Sequence, residues 1–114
     1  MRYRLLTRIR IIEGDTIVLG PGKADLLDAI ARTGSIRDAA AELGMSYMRA
    51  WTLVRVMNEK FRSPLVDAAR GGSERGGAKL TTAGRSALRL YRRASKASER
   101  AAAAELRGLK KLLK

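Results

Sequence analysis

Two glycine–serine breaks, ten residues apart, constrain this chain more than any other feature. Gly34-Ser35 and Gly44-Met45-Ser46 each place a residue that leaves a helix easily before one whose hydroxyl caps the next. Apolar residues recur at helical spacing on all sides of the breaks. Leu26, Leu27, Ile30 and Ala31 come before the first, and Ile36, Ala39, Ala40 and Leu43 lie between them. Ala50, Leu53, Val54, Met57 and Phe61 follow the second. Ser35-Ile36-Arg37-Asp38 approximates a capping box. The pattern predicts three helices joined by tight turns. Ala40, Gly44 and Ala50 are the small residues expected where the second and third helices approach closely.

The flanks read differently. Residues 3–12 alternate, with Tyr3, Leu5, Ile9 and Ile11 on one side and Arg2, Arg4, Arg8 and Arg10 on the other. That is a strand with one face buried. Glu13-Gly14-Asp15 is a turn, and Thr16–Leu19 returns as a second strand. Pro64 stops the third helix. Leu65–Ala69 and Ala78-Lys79-Leu80 form a second strand pair around the Gly71–Gly77 loop. Thr81 or Thr82 caps a last helix, which runs without proline to the end. The expected fold is mainly α with small β, a winged helix-turn-helix with an N-terminal β-hairpin and a long C-terminal helix. It occupies 1–114 as one domain: hairpin 1–19, helices 20–62 with the helix-turn-helix at 35–61, wing 65–80, and terminal helix 82–113.

Composition narrows the chemistry. The chain has no Cys and no His, which removes disulfides, thiol nucleophiles, Cys/His zinc sites and His acid–base catalysis. Its few carboxylates are scattered, and Glu42 and Asp67 have no partner at catalytic spacing, so no enzyme is expected. No cofactor is expected either. Gly20-Pro21-Gly22-Lys23 is not a nucleotide loop, because the motif needs Gly at Ile17 and Ser or Thr at Ala24. The net charge is +13, and residues 85–114 alone hold ten basic side chains against two acidic ones. A polyanionic partner fits this balance. No apolar run is long enough to span a membrane, and the basic start lacks the apolar core of a signal peptide. The terminal helix has too little aromatic surface to lie on lipid. A cytoplasmic setting is expected, consistent with the absence of Cys.

In a winged helix-turn-helix the third helix enters the DNA major groove. The face opposite its buried stripe carries Met48, Arg49, Thr52 and Arg55, with Ser46 and Tyr47 at its start. Arginine pairs with guanine edges, hydroxyls reach bases or phosphates, and an apolar tip meets a thymine methyl. Arg70, Arg75 and Lys79 lie in or beside the wing. A basic helix face alone is more often solvated surface, and the order helix-turn-helix then glycine-rich hairpin shifts the balance. Trp51 reads as an anchor at the core edge near Tyr47. Ala102, Leu106, Leu109 and Leu113, spaced 4, 3, 4, form a short heptad seam suited to dimerisation.

Several runs resemble the DNA-binding domain of molybdate-responsive regulators, the ModE family. They are Gly20–Leu27, Thr33-Gly34-Ser35-Ile36 with Ala39-Ala40, Gly44–Trp51, Met57-Asn58, Pro64-Leu65-Val66, the Gly71–Gly77 loop, Ala78-Lys79-Leu80-Thr81 and Gly84. The Thr-Gly-Ser and Leu-Thr-x-x-Gly pieces are more loosely similar to LysR-type regulators. The resemblance implies a dimeric winged-helix protein that contacts DNA through the third helix and wing. It points to Ser46, Tyr47, Arg49, Thr52, Arg55, Arg70, Arg75 and Lys79. The loop departs from the family, with Ser73-Glu74-Arg75 in place of a nearly continuous glycine run. Glu74 would repel phosphate there. Full-length family members carry a C-terminal oxyanion-binding module, whereas the residues after the wing here read as helix. Molybdate or another oxyanion effector is therefore not expected in this chain.

The reading is a sequence-specific transcriptional regulator that binds palindromic double-stranded DNA as a homodimer. A non-specific architectural DNA-binding protein, and an adaptor that keeps the winged fold, are the alternatives.

Overall fold

A computed structural model describes residues 2–68 and 77–114. Strands β1 (Ile11–Glu13) and β2 (Thr16–Leu19) form an antiparallel hairpin. Helices α1 (Pro21–Thr33), α2 (Ile36–Glu42) and α3 (Tyr47–Lys60) follow. Strands β3 (Val66–Ala68) and β4 (Ala78–Leu80) pair antiparallel, with Val66 opposite Leu80 and Asp67 opposite Lys79. Helices α4 (Thr82–Ala101) and α5 (Ala103–Leu112) complete the chain. This is a mainly helical winged helix-turn-helix.

Capping defines the helix starts. Pro21 opens α1, where its missing N–H costs nothing. The Ser35 Oγ accepts from the Asp38 N–H at 3.1 Å, and the Ser46 Oγ from the Arg49 N–H at 3.1 Å. The Thr81 Oγ1 accepts from the Gly84 N–H at 3.0 Å and donates to the Pro64 carbonyl at 2.6 Å. The turn at Gly44 has φ 69. A Cβ there would meet nothing within 4 Å, so this glycine serves the left-handed turn and not a close helix approach. Ala40 and Ala50 are the fully buried small residues between α2 and α3.

The core is built from Leu26, Leu27 and Ile30 of α1, Ile36 and Ala39 of α2, and Val54 and Met57 of α3. Leu65, Val66, Leu80 and Leu88 close it from the wing and α4. On α1 the buried alanines are Ala24 and Ala29, while the expected Ala31 faces out. The wing is fastened to the helices at both ends. The Ala78 N–H donates to the Gly34 carbonyl at 2.8 Å, and Ser35 bridges Gly77. At the other end Asn58 on α3 serves three backbone groups. Its Oδ1 accepts from the Leu65 and Val66 N–H groups at 2.8 and 3.1 Å, and its Nδ2 donates to the Val66 carbonyl at 3.1 Å. Removing that amide strands three partly buried backbone groups. Asn58→Ala is expected to cost about 2 kcal/mol in a denaturant titration.

The flanks differ from expectation in two places. The predicted strand over 3–12 is paired only from Ile11, because residues 2–10 form an arm bonded to α4 and to Lys114 and not to β2. The Tyr91 hydroxyl donates to the Ile9 carbonyl at 2.8 Å, and the Thr7 Oγ1 to the Ser95 carbonyl at 3.4 Å. The alternation survives in the arm, with Tyr3, Leu5, Thr7 and Ile9 half-buried and the arginines exposed. It fails at Ile11, which is exposed, since the ladder register shifts between Ile11 and Ile12. The terminal helix also breaks, at Ala102 with φ −95 and ψ 6. No proline stands there. One turn earlier the Ser98 Oγ donates to the Ala94 carbonyl at 2.9 Å, a back-bond of the type that bends helices.

An ion-pair chain ties three helices together. Asp28 of α1 accepts from Arg32 and from Arg92 of α4, and Arg32 reaches Glu42 of α2 with both terminal nitrogens. Arg32 foremost, with Arg92 adding, holds the Asp28 carboxyl below its ordinary range against partial desolvation. A depressed carboxyl contributes stability above its unfolded pKa and loses it as pH falls through the folded value. The stability gap between wild type and Asp28→Asn should therefore be present at neutral pH and shrink below about pH 4. Urea midpoints across that range read it.

Candidate nucleic-acid interface

Helix α3 turns one apolar face inward through Ala50, Val54 and Met57, and all three are buried. Ser46, Tyr47, Met48, Arg49, Thr52 and Arg55 are all exposed around the opposite face and the N-terminal end. Met48 is 75% exposed, which marks a side chain without an intramolecular packing role. The Arg49 N–H is taken by the Ser46 cap, and the positive end of the helix dipole with the Arg49 charge favours an anion at this first turn.

The polar side chains are partly pre-arranged. The Thr52 Oγ1 donates to the Met48 carbonyl at 3.0 Å and accepts from an Arg55 nitrogen at 3.5 Å. Thr52 thereby steers Arg55 along the helix and has less hydroxyl left for a ligand than its sequence position implied. Tyr47 meets Trp51 edge to face, with centroids 6.2 Å apart and planes at 88°. Trp51 is half-buried against the core, in line with its expected anchoring place. The Arg37 guanidinium of α2 lies over the other aromatic, 4.6 Å from the Tyr47 ring centre. This cation–π contact sets a further positive charge at the mouth of the turn. Arg37 was not singled out in the sequence. The exposed cation two residues after the Ser35 cap was the signal available.

Lys23 is a second residue that sequence reasoning passed over. It is only 9% exposed, and its Nζ donates to the Ile17 carbonyl at 2.6 Å. Burial lowers its pKa, and the neighbouring Arg49 charge lowers it further. Lys23 therefore ties β2 to α1 and adds positive potential beneath the start of α3. The β1–β2 hairpin is also joined to the far end of α3, where Lys60 Nζ meets Glu13 Oε1 at 2.6 Å.

Of the wing residues, Lys79 is exposed on β4. Arg70 and Arg75, with the loop tip around Glu74, lie outside the described residues. The terminal seam divides. Ala102 and Leu106 are half-buried, continuing the stripe of Tyr91, Ser95 and Ser98, while Leu109 and Leu113 are 56% and 47% exposed.

Two capped helices with a tight left-handed turn, a hairpin sewn to both, and an exposed basic face on the second helix define a regulatory helix-turn-helix domain. The chain belongs to the bacterial regulatory helix-turn-helix proteins of the LysR family, matched over residues 23–85. Among characterised relatives, it is 44% identical over 81 residues to the molybdenum-pterin-binding protein MopB of Rhodobacter capsulatus, covering 71% of this chain and 30% of MopB. It is 37% identical over 89 residues to the molybdenum transport protein ModE of Azotobacter vinelandii, covering 78% of this chain and 33% of that one. The dual regulator ModE of Escherichia coli K12 is 41% identical over 71 residues, 62% of this chain and 27% of its own length. The chain thus spans a third or less of these relatives. In solved structures the fold resembles the CbnR DNA-binding domain in its complex with DNA, with TM-score 0.56 and 23% identity over 74% of this chain and 95% of that one. Among the described residues no helix is long and apolar enough to cross a membrane.

Proposed function

We propose that this chain binds duplex DNA sequence-specifically as a homodimer and regulates transcription. The observation that carries the reading is the exposed α3 face. Arg49 and Arg55 stand beside a 75% exposed Met48 on a helix whose opposite side is fully committed to the core. Ser46, Tyr47 and Thr52 complete the contact set, and Lys79 reaches the backbone from the wing. Bidentate arginine contacts to guanine carry sequence choice, whereas Lys79 acts on phosphates. The names of the E. coli relative and of the CbnR complex support the same partner.

For dimerisation we propose the C-terminal end, where Leu109 of α5 and Leu113 just beyond it are open. The expected seam is not one continuous stripe, because the helix breaks at Ala102 and Leu113 has left it with extended backbone. Two-fold symmetry then places half-sites one helical turn, or a multiple, apart. Leu109→Asp changes an exposed position and should give a folded monomer in sedimentation. A persistent dimer would move the contact away from α5.

Selection from a random duplex pool at about 0.15 M salt tests the function, because screening suppresses weak phosphate-only binding. Enrichment of a palindrome is the expected result. Retention without enrichment would mean an architectural protein, and no retention would mean an adaptor.

A further inference from the structure

A second basic surface lies apart from α3. The N-terminal arm holds Arg2, Arg4, Arg8 and Arg10 on its solvent side, all exposed. None of the four forms an ion pair with a carboxylate among the described residues. The arm is not a loose tail. Three side-chain bonds fasten it, two of them to α4: Tyr91 donates to the Ile9 carbonyl, Thr7 to the Ser95 carbonyl, and Tyr3 to a main-chain oxygen of Lys114, beyond α5, at 3.0 Å. Its half-buried residues Tyr3, Leu5, Thr7 and Ile9 take the inner side, so the arginines are held outward in register.

We propose that this strip of Arg2, Arg4, Arg8 and Arg10 is a second, sequence-independent DNA contact that grips phosphates beyond the segment read by α3. The choice of polyanion rests on the reading above, while the residues are separate from it. Same-face residues on an extended arm recur about every 6.6 Å. One DNA strand presents a phosphate about every 3.4 Å along the axis, so each step of the arm passes two phosphates. Guanidinium suits phosphate bidentately. A lipid surface fits less well, because Leu6 is the one apolar side chain among the outward residues from 2 to 10 and interfacial binding needs an apolar face.

The test compares the full chain with two variants. One carries Arg2→Gln, Arg4→Gln, Arg8→Gln and Arg10→Gln, and the other carries lysine at the same four positions. Binding to a 60-bp duplex of random sequence (length roughly chosen to exceed one contact site) is measured from about 50 to 200 mM salt. Loss of four phosphate contacts lowers the log–log slope by about 3.6, roughly a hundredfold less salt sensitivity over that range. The glutamine variant should show this and the lysine variant should keep the wild-type slope. A wild-type slope in the glutamine variant would overturn the proposal. Repeating the series on Arg49→Ala/Arg55→Ala separates the two surfaces: the arm effect should persist there. If those α3 changes alone cost no affinity on a selected duplex, the recognition reading fails while the arm result stands. Capture on phosphatidylserine vesicles that the glutamine changes abolish, with DNA binding unchanged, would assign the strip to lipid and overturn the DNA contact.

Discussion

Gly84→Ala should unfold much of the winged unit's attachment to α4, at a cost of about 3 kcal/mol. A Cβ on Gly84 would stand 2.0 Å from the Leu65 carbonyl oxygen and 3.0 Å from its carbon. Both are backbone atoms, and neither has room to yield. The Leu65 carbonyl accepts from the Thr81 N–H at 2.9 Å, and the Leu65 N–H is held by Asn58 at 2.8 Å. The first turn of α4 would have to lift, and Leu88 and Leu80 would leave the core they help close. For a domain of this size, 3 kcal/mol corresponds to a loss of roughly 10–20 °C in melting temperature. Gly108→Ala is the matched control. Its added methyl meets nothing within 4 Å, and in a helix interior alanine should stabilise by about 0.5–1 kcal/mol. Equal melting temperatures for the two variants would contradict the account of the α4 docking.

The second large effect is on binding. Arg49→Ala and Arg55→Ala should each cost about 1–3 kcal/mol on a selected duplex and relax preference at one base position. The residues are about 9 Å apart along the helix axis. Their effects should therefore nearly add, to about 2–6 kcal/mol for the pair. Both side chains are exposed, so thermal stability should stay close to wild type. Fluorescence anisotropy on the selected duplex and on an unrelated one separates base reading from charge. Equal losses on both would make the arginines phosphate contacts only. Thr52→Val should give a smaller loss than either, through looser placement of Arg55, since the Thr52 hydroxyl already serves Met48 and Arg55.

The parts of this fold governed by local chemistry could be read from the sequence. Ser35 and Ser46 cap the helices at the expected positions. The 3.6-residue stripes bury Ile36, Ala39 and Ala40 of α2 and Ala50, Val54 and Met57 of α3, leaving the expected Leu43, Leu53 and Phe61 half-buried. What failed depended on partners distant in the chain. Alternation in residues 2–10 correctly separated an inner from an outer side, but period two does not say whether a strand or a helix lies beneath. Here it is α4, 82 residues away at the Tyr91–Ile9 bond. Ile11 turned outward because of a register shift that no residue type announces. The helix break at Ala102 had no proline or glycine to mark it. On α3, spacing grouped the residues that the structure leaves exposed. It missed Arg37 and Lys23, whose relevance arises from tertiary contacts with Tyr47 and Ile17.

In the proposed function α3, and not another basic surface, reads DNA. The most direct test is backbone amide mapping of the full chain titrated with its selected duplex at about 0.15 M salt, where long-range charge effects are screened. The largest shifts should fall on Ser46 to Arg55, with a smaller response at Lys79. Unmoved amides from Ser46 to Arg55 during saturable binding would contradict DNA reading by α3.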